Sequence, residues 1–133
     1  MMQKYLIDTC VIIEFLSGNP KWLQRIKQLG IDNCYVSEFT LCELYYGAYH
    51  VEGTKYFAHE IIKINSVLDK FKILQGTTVS ENFGKIKAYL IKHGQKVDDM
   101  DILIGSLAVA NGMTVVTDNE KHFSRMPGIK CEN

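Results

Sequence analysis

Short apolar segments alternate along this chain with longer segments that have a helical hydrophobic period. The candidate strands cover residues 4–7, 34–36, 72–74, 114–117 and 128–131, the last as an edge strand. The candidate helices cover residues 10–16, 20–29, 38–50, 55–71, 81–93 and 102–110. This alternation is typical of a parallel sheet that carries helices on both faces. We therefore predict an α/β fold with a central parallel β-sheet.

The length of the chain limits it to one domain. Its 133 residues are 47% hydrophobic, which suffices for one sizeable core, and we treat residues 1–133 as a single unit. Lysine plus arginine and aspartate plus glutamate both total 15, so the formal net charge is zero. The chain therefore lacks the overall positive charge of many nucleic-acid-binding proteins, and any polyanion must be bound by a local patch.

The cysteines and the hydropathy indicate a cytoplasmic protein. Cys10, Cys34, Cys42 and Cys131 form no CxxC motif, and Cys10 and Cys42 have apolar helical neighbours, so we expect these two thiols to act as small hydrophobic groups. No apolar run approaches the roughly 20 residues that a membrane-spanning helix requires. We expect no contact with a membrane.

Four acidic residues lie where predicted strands meet predicted helices: Asp8, Glu43, Asp101 and Asp118. The carboxyl ends of parallel strands line one crevice, so acids from distant parts of the chain can converge there. Converging carboxylates repel one another unless a cation lies between them. The pattern therefore predicts a divalent-metal site with oxygen ligands and, with it, phosphoryl-transfer chemistry.

Each of the four acids also has a structural explanation. Asp8 can cap the following helix, a role compatible with metal binding, and Asp101 lies where a helix begins and can cap it. Glu43 has apolar neighbours and can be held by an ion pair. Asp118 lies in a Thr-Asp-Asn sequence that favours an Asx turn. The four positions together are more specific than any one of them.

Four segments of the chain resemble the PIN-domain ribonucleases, and more narrowly the VapC-type toxins of toxin–antitoxin pairs. The segments are Tyr-Leu-Ile-Asp-Thr at 5–9, Thr-Leu-Cys-Glu-Leu-Tyr-Tyr-Gly at 40–47, Asp-Ile-Leu-Ile-Gly-Ser-Leu-Ala at 101–108, and Val-Val-Thr-Asp-Asn-Glu-Lys-His-Phe with a later Met-Pro-Gly at 115–128. The resemblance covers nearly the whole chain in the order of that family. It implies a parallel sheet flanked by helices and an acidic pocket that binds Mg²⁺ or Mn²⁺ and hydrolyses single-stranded RNA.

The resemblance also assigns roles by position. Asp8, Glu43 and Asp101 match the three metal-binding acids, and Thr9 matches the small hydroxyl residue that often follows the first of them. The family often places its fourth acid at the position that is Asn119 here, whereas this chain has its carboxylate at Asp118. We favour Asp118 as the fourth ligand, with Asn119 assisting through a water molecule.

The residues suggest a hydrolytic mechanism and two cationic stretches. No histidine or cysteine is placed by a motif as a nucleophile, so a metal-activated water is the expected attacking group, with Asp118 completing a second metal site or orienting the water. Lys121, His122 and Arg125 follow Asp118 and are candidates for contacts with RNA phosphates. A second stretch, for which a solvated helix face is the stronger interpretation, contains Lys85, Lys87, Lys92, His93 and Lys96.

Partners are implied by the resemblance alone. It suggests that residues 10–29 and 38–50 bind a cognate antitoxin protein and that the chain forms a homodimer. Several aromatic side chains in these regions can either stack on bases or serve core and interface packing: Phe15, Trp22, Tyr45, Tyr46 and Tyr49.

The main alternative function is a non-catalytic PIN-like module that binds RNA or protein. Receiver domains and Asp-x-Asp phosphatases are disfavoured, because Asp8 has no adjacent acid and Cys10 occupies the second phosphatase position.

Overall fold

The computed structural model describes residues 2–76 and 79–133 of the chain. Five strands and seven α-helices alternate along this part. In chain order they are β1 (Tyr5–Ile7), α1 (Thr9–Leu16), α2 (Pro20–Leu29), β2 (Cys34–Ser37), α3 (Glu38–His50), α4 (Phe57–Lys70), β3 (Lys72–Leu74), α5 (Ser80–Lys92), α6 (Asp99–Asn111), β4 (Thr114–Val116), α7 (Glu120–Ser124) and β5 (Cys131–Glu132). A 3₁₀ turn at Ile31–Asn33 precedes β2.

The five strands form one sheet in the order β3-β2-β1-β4-β5, and every pairing is parallel. The predicted α/β fold is therefore confirmed. The chain builds outward from β1 to β2 and β3, and then returns to place β4 on the other side of β1. Ligands of open α/β sheets bind at such a reversal of strand order, beyond the carboxyl ends of the strands. In this protein the reversal lies between β1 and β4, where Ile7 aligns with Val116.

Adjacent residues of the central strands enter different hydrophobic cores, because successive side chains of a strand point to opposite faces. Leu6 and Val115 pack into the core beneath α5 and α6, whereas Ile7 and Val116 pack into the core that contains Trp22. Helices on both faces bury these four side chains completely. This explains why neighbouring residues of β1 and β4 are apolar on both faces instead of alternating with polar ones.

Two of the aromatic residues considered for base stacking are core residues. Trp22 and Phe15 are 2% and 9% exposed and pack in the second core. Tyr45, Tyr46 and Tyr49 of α3 are exposed. Only the α3 tyrosines therefore remain available to a partner or substrate.

Helix α6 is enclosed by the rest of the molecule, as its apolar sequence predicts. Its buried residues are Ile102, Ile104, Gly105, Ser106, Leu107 and Ala108. Gly105 permits a close approach, since a Cβ at this position would lie 2.6 Å from the sulfur of Met126. The helix ends at Gly112, whose φ of 62° is left-handed and favours glycine.

The last elements differ from the sequence prediction. The edge strand predicted at 128–131 is found at Cys131–Glu132, and the short helix α7 was not predicted. None of the helices in the described ranges is both long enough and apolar enough to cross a membrane.

Candidate active site

An open cleft lies beyond the carboxyl ends of β1 and β4. Its volume is about 500 Å³, and all four acids predicted from the sequence line it. The lining residues are Asp8, Thr9, Cys10, Ile13, Glu43, Asp101, Asp118 and Asn119. Segments far apart in sequence therefore deliver their carboxylates to one place.

Asp8 combines two roles at the end of β1. One carboxylate oxygen accepts the backbone N–H of Thr9 at 2.8 Å, which caps α1. The other accepts the hydroxyl of Thr117 at 2.9 Å and lies 3.1 Å from the sulfur of Cys10. The side chain is only 4% exposed, so its orientation is fixed by the backbone around it. The capping explanation of Asp8 is therefore correct and leaves its place in the cleft intact.

Glu43 is held by hydroxyl groups. The hydroxyl of Thr9 donates to Glu43 Oε1 at 2.7 Å and lies 2.9 Å from the hydroxyl of Thr40. Thr40 in turn accepts a hydrogen bond of 3.2 Å from Ser37, the N-cap residue of α3. In the described ranges Glu43 forms no salt bridge, so the ion-pair explanation of this residue is not supported.

Asp101 lies in the first turn of α6 and faces the other acids. Burial, together with the negative charge of Asp8, raises the pKa of Asp101 to about 6. His122 opposes this shift, since its Nδ1 lies 3.5 Å from Asp101 Oδ2. A carboxylate whose ionisation is disfavoured in this way is a place where a cation would bind favourably.

Asp118 and Asn119 point to different partners. Asp118 Oδ1 lies 2.9 Å from the sulfur of Cys10, next to Asp8. The side-chain amide of Asn119 lies 2.7 Å from His122 Nδ1, and its backbone N–H donates to the Thr117 hydroxyl. The Asp118 carboxylate thus lies on the Asp8 side of the cleft, whereas the Asn119 side chain contacts His122.

Cys10 is the residue that sequence reasoning missed. Cys10 packs against the second core, as its predicted hydrophobic role requires, but its thiol also lies between the carboxylates of Asp8 and Asp118, which the sequence did not predict. Burial, and then the charge of Asp8, raise the pKa of Cys10 well above its usual range, so the thiol stays protonated at neutral pH. Its position two residues after Asp8 was the available signal. Cys42, for which a hydrophobic role was also predicted, is exposed.

The ligand atoms of the cleft are of the type that binds a hard divalent cation. Their arrangement among the described residues is not that of a ready metal site. Carboxylate oxygens dominate the cleft, as Mg²⁺ and Mn²⁺ prefer. Across residues 2–76 and 79–133, however, no three acidic, histidine or cysteine side chains form a ready metal-binding group. Hydrogen bonds from Thr9, Thr117 and Cys10 engage the carboxylates separately instead.

The two predicted cationic stretches differ in their surroundings. His122 reaches the cleft, and Lys121 and Arg125 are exposed in and just after α7. In the other stretch Lys85 is paired with Glu81 and Lys87 with Asp99, so part of its charge is neutralised locally. Only the stretch that includes His122 contacts one of the four acids.

A family model described as the PIN domain matches residues 5–129 of the chain. This protein belongs to the PIN-domain family. The match runs from the start of β1 to the segment before β5, so all four acids and Cys10 lie within it. Within the family, the chain is 34% identical to "Ribonuclease VapC2" of Haemophilus influenzae, over 99% of this chain and 98% of that one. It is 29% identical to "tRNA(fMet)-specific endonuclease VapC" of Salmonella typhimurium, over 99% and 98%.

Solved structures share the architecture over nearly the whole chain. A VapBC2 complex of Rickettsia felis, bound to a promoter DNA fragment, contains a chain that matches at a TM-score of 0.87 with 25% identity, over 98% of both chains. DNA-bound VapBC from Salmonella typhimurium also matches at 0.87, with 29% identity over 98% of both chains. The resemblance stated from the sequence is confirmed at the level of the VapC ribonuclease family.

Proposed function

We propose that this PIN-domain protein is a metal-dependent endoribonuclease that hydrolyses phosphodiester bonds of single-stranded RNA and acts as the toxin of a toxin–antitoxin pair. The observation that carries the proposal is the convergence of Asp8, Glu43, Asp101 and Asp118 in one cleft. Full-length relatives that bear the name ribonuclease support the choice of RNA.

The acids would divide the metal-binding role. Asp8, Glu43 and Asp101 would hold one Mg²⁺ or Mn²⁺ ion, and Asp118 would complete a second site or orient the attacking water. A bound cation would offset the phosphate charge and make the attacking water more acidic. The raised pKa of Asp101 supports this assignment, because a nearby cation favours the ionised carboxylate.

The surrounding residues prepare the cleft for this chemistry. The Thr9 hydroxyl and the Thr117 hydroxyl orient Glu43 and Asp8 through hydrogen bonds of 2.7 and 2.9 Å. His122 lies where it can contact a phosphate next to Asp101, and the exposed side chains of Lys121 and Arg125 extend positive charge along α7. Contacts of this kind make RNA binding weaker as the salt concentration rises.

A second, apolar cavity adjoins the acid cleft and supports the antitoxin proposal. It has a volume of about 380 Å³ and shares Thr9, Ile13 and Glu43 with the cleft. Ile13 and Tyr46 both line this cavity and are 49% and 71% exposed, a large solvent contact for apolar side chains. A protein that binds this surface would cover the acids as well.

Helix α4, which packs against α3, also has exposed apolar side chains at Ile62 and Leu68. These add to the apolar side chains available to a partner beside the segments 10–29 and 38–50. The matched structures are VapBC complexes, which supports a cognate antitoxin as the occupant. A homodimer and a cytoplasmic location, where RNA is available, complete the proposal.

Cleavage assays test the nuclease proposal directly. Purified, antitoxin-free protein is incubated with a mixed single-stranded RNA pool and, separately, with initiator tRNA, in Mg²⁺, in Mn²⁺ and in EDTA. We expect cleavage that requires metal and is lost in Asp101→Asn. Asp99→Asn is the matched control, because Asp99 lies in the same first turn but pairs with Lys87 outside the cleft.

The outcomes separate the enzyme from the binding module. Cleavage that persists in EDTA, or in folded Asp101→Asn, contradicts the carboxylate-metal mechanism. RNA that is bound but never cleaved, with either metal, supports the non-catalytic alternative. Equal loss of activity in Asp99→Asn and Asp101→Asn would mean that the charge of the helix start matters and the cleft does not.

A further inference from the structure

The Cys10 thiol joins two carboxylates that come from distant parts of the chain. Its sulfur lies 3.1 Å from Asp8 Oδ2 and 2.9 Å from Asp118 Oδ1. Cys10 is in the first turn of α1, two residues after the capping residue Asp8, so its backbone is fixed by the start of the helix. A thiol carries one proton and donates to one carboxylate at a time.

The two carboxylates depend on this thiol to different degrees. Asp8 is buried and also accepts hydrogen bonds from the Thr9 backbone and the Thr117 hydroxyl. Asp118 is exposed, and among the described residues its carboxylate accepts a hydrogen bond from Cys10 alone. Removing the thiol would therefore leave Asp8 in place and free Asp118 to turn into solvent.

We propose that Cys10 is a positioning residue that holds the Asp118 carboxylate in the acid cleft, facing Asp8. This inference rests on the proposed nuclease function, in which Asp118 is the fourth acid. It also explains how an exposed aspartate on a loop is kept beside three acids that repel it. The competing explanation is that Cys10 fills space, since it also packs against the core beneath α1.

Alanine and serine variants separate hydrogen bonding from packing. Cys10→Ala removes the donor, whereas Cys10→Ser keeps a donor of similar size. Crystal structures of the two metal-free variants provide a readout that does not depend on activity. We expect Asp118 to leave the cleft in Cys10→Ala and to stay beside Asp8 in Cys10→Ser. An Asp118 side chain in its original place in Cys10→Ala overturns the proposal.

Manganese affinity, measured from the electron paramagnetic resonance signal of free Mn²⁺, gives a second readout. We expect Cys10→Ala to weaken binding about tenfold, a usual effect of removing a partner of a metal ligand. In an Asp118→Asn background the same change should cause no further loss, because the two residues act as a pair. Cys42→Ala is the matched control, since this thiol is exposed on α3 and contacts none of the carboxylates.

Failure of the inference and failure of the proposed function give different results. Additive losses in the double variant, or a serine variant as weak as alanine, contradict the positioning role while leaving the nuclease proposal intact. Wild-type protein that binds no Mn²⁺ and cleaves no RNA contradicts the nuclease proposal. In that case the position of Asp118 in the two crystal structures still decides the role of Cys10.

Discussion

Helices α3 and α6 each have 13 residues and each present one acid to the cleft, but they are held in place differently. Six residues of α6 are buried, against two in α3. Helix α6 therefore positions Asp101 through core packing, whereas α3 positions Glu43 through the hydroxyls of Ser37, Thr40 and Thr9. The wall of the cleft that α6 forms is part of the core, whereas the wall that α3 forms has an exposed outer face that a partner can bind.

The largest expected effect contrasts truncation of a buried side chain in α6 with truncation of an exposed side chain in α3. Leu107→Ala in α6 removes a side chain that is 1% exposed, and we expect a loss of about 3 kcal/mol in unfolding free energy. Tyr46→Ala in α3, where the side chain is 71% exposed, should change it by less than about 0.5 kcal/mol. Urea denaturation measures both. Similar losses would show that α3 is as firmly packed as α6.

The free face of α3 should matter for binding where it does not for folding. We expect Tyr46→Ala to weaken binding of the cognate antitoxin by about 2 kcal/mol, roughly 30-fold, as for a buried aromatic anchor. Tyr89→Ala is the control, because this tyrosine is 41% exposed on α5. Isothermal titration calorimetry measures both. An equal effect of the two variants would refute the assignment of the α3 face.

The ionised Asp101 side chain of α6 should lower the free energy of unfolding of the metal-free protein. The pKa of Asp101 rises from 3.8 to about 6 on folding, so the folded state binds the proton more tightly and stability falls as the pH rises through this interval. We expect Asp101→Asn to be more stable than wild type by about 1 to 2 kcal/mol above pH 6, allowing for partial solvent screening, and equal to it near pH 4.

Thermal denaturation across this pH range, in EDTA, checks the Asp101 prediction. Mn²⁺ should stabilise the wild type and not the variant, which reverses their order at high pH. A variant that is less stable than wild type at pH 8 in EDTA would show that the charge of Asp101 is already compensated in the metal-free cleft.

The smallest expected effect concerns how the two helices begin. Ser37 Oγ accepts the Thr40 N–H at 3.0 Å and caps α3, whereas the side chain of Asp98 makes no capping hydrogen bond to α6. We expect Ser37→Ala to cost about 1 kcal/mol and Asp98→Ala only a few tenths. Chemical denaturation measures the difference. A larger cost for Asp98→Ala would reverse the assignment of how each helix is anchored.

The sequence predicted the sheet because its central strands, β1 and β4, are buried on both faces and therefore form short apolar runs. The apolar run at 114–117 predicted a buried strand, and the apolar sequence of α6 predicted a buried helix. The fold that these features predict is confirmed. Helix α7 was missed because its five residues are too few to show a helical period. The edge strand was misplaced by a few residues, since only β4 flanks β5 and its pattern is weak.

The acids of the candidate site were predicted from the sequence, whereas the hydrogen bonds that hold them were not. Asp8 and Asp118 were predictable because each of them directly follows a candidate strand. Cys10 and Asp118 are 108 residues apart in the sequence, so no local pattern predicts their contact. The metal and the role of each acid stay predictions that the assays above can test.

The central position of β1 has a consequence for how the protein is synthesised. The ribosome makes the chain from its amino end, so β1 and Asp8 are made long before β4 and Asp118, which complete the cleft on the other side. A nascent chain that stops before β4 has neither the strand that supports this wall nor its fourth acid. An unfinished chain of this kind therefore lacks part of the cleft that the proposed nuclease would need.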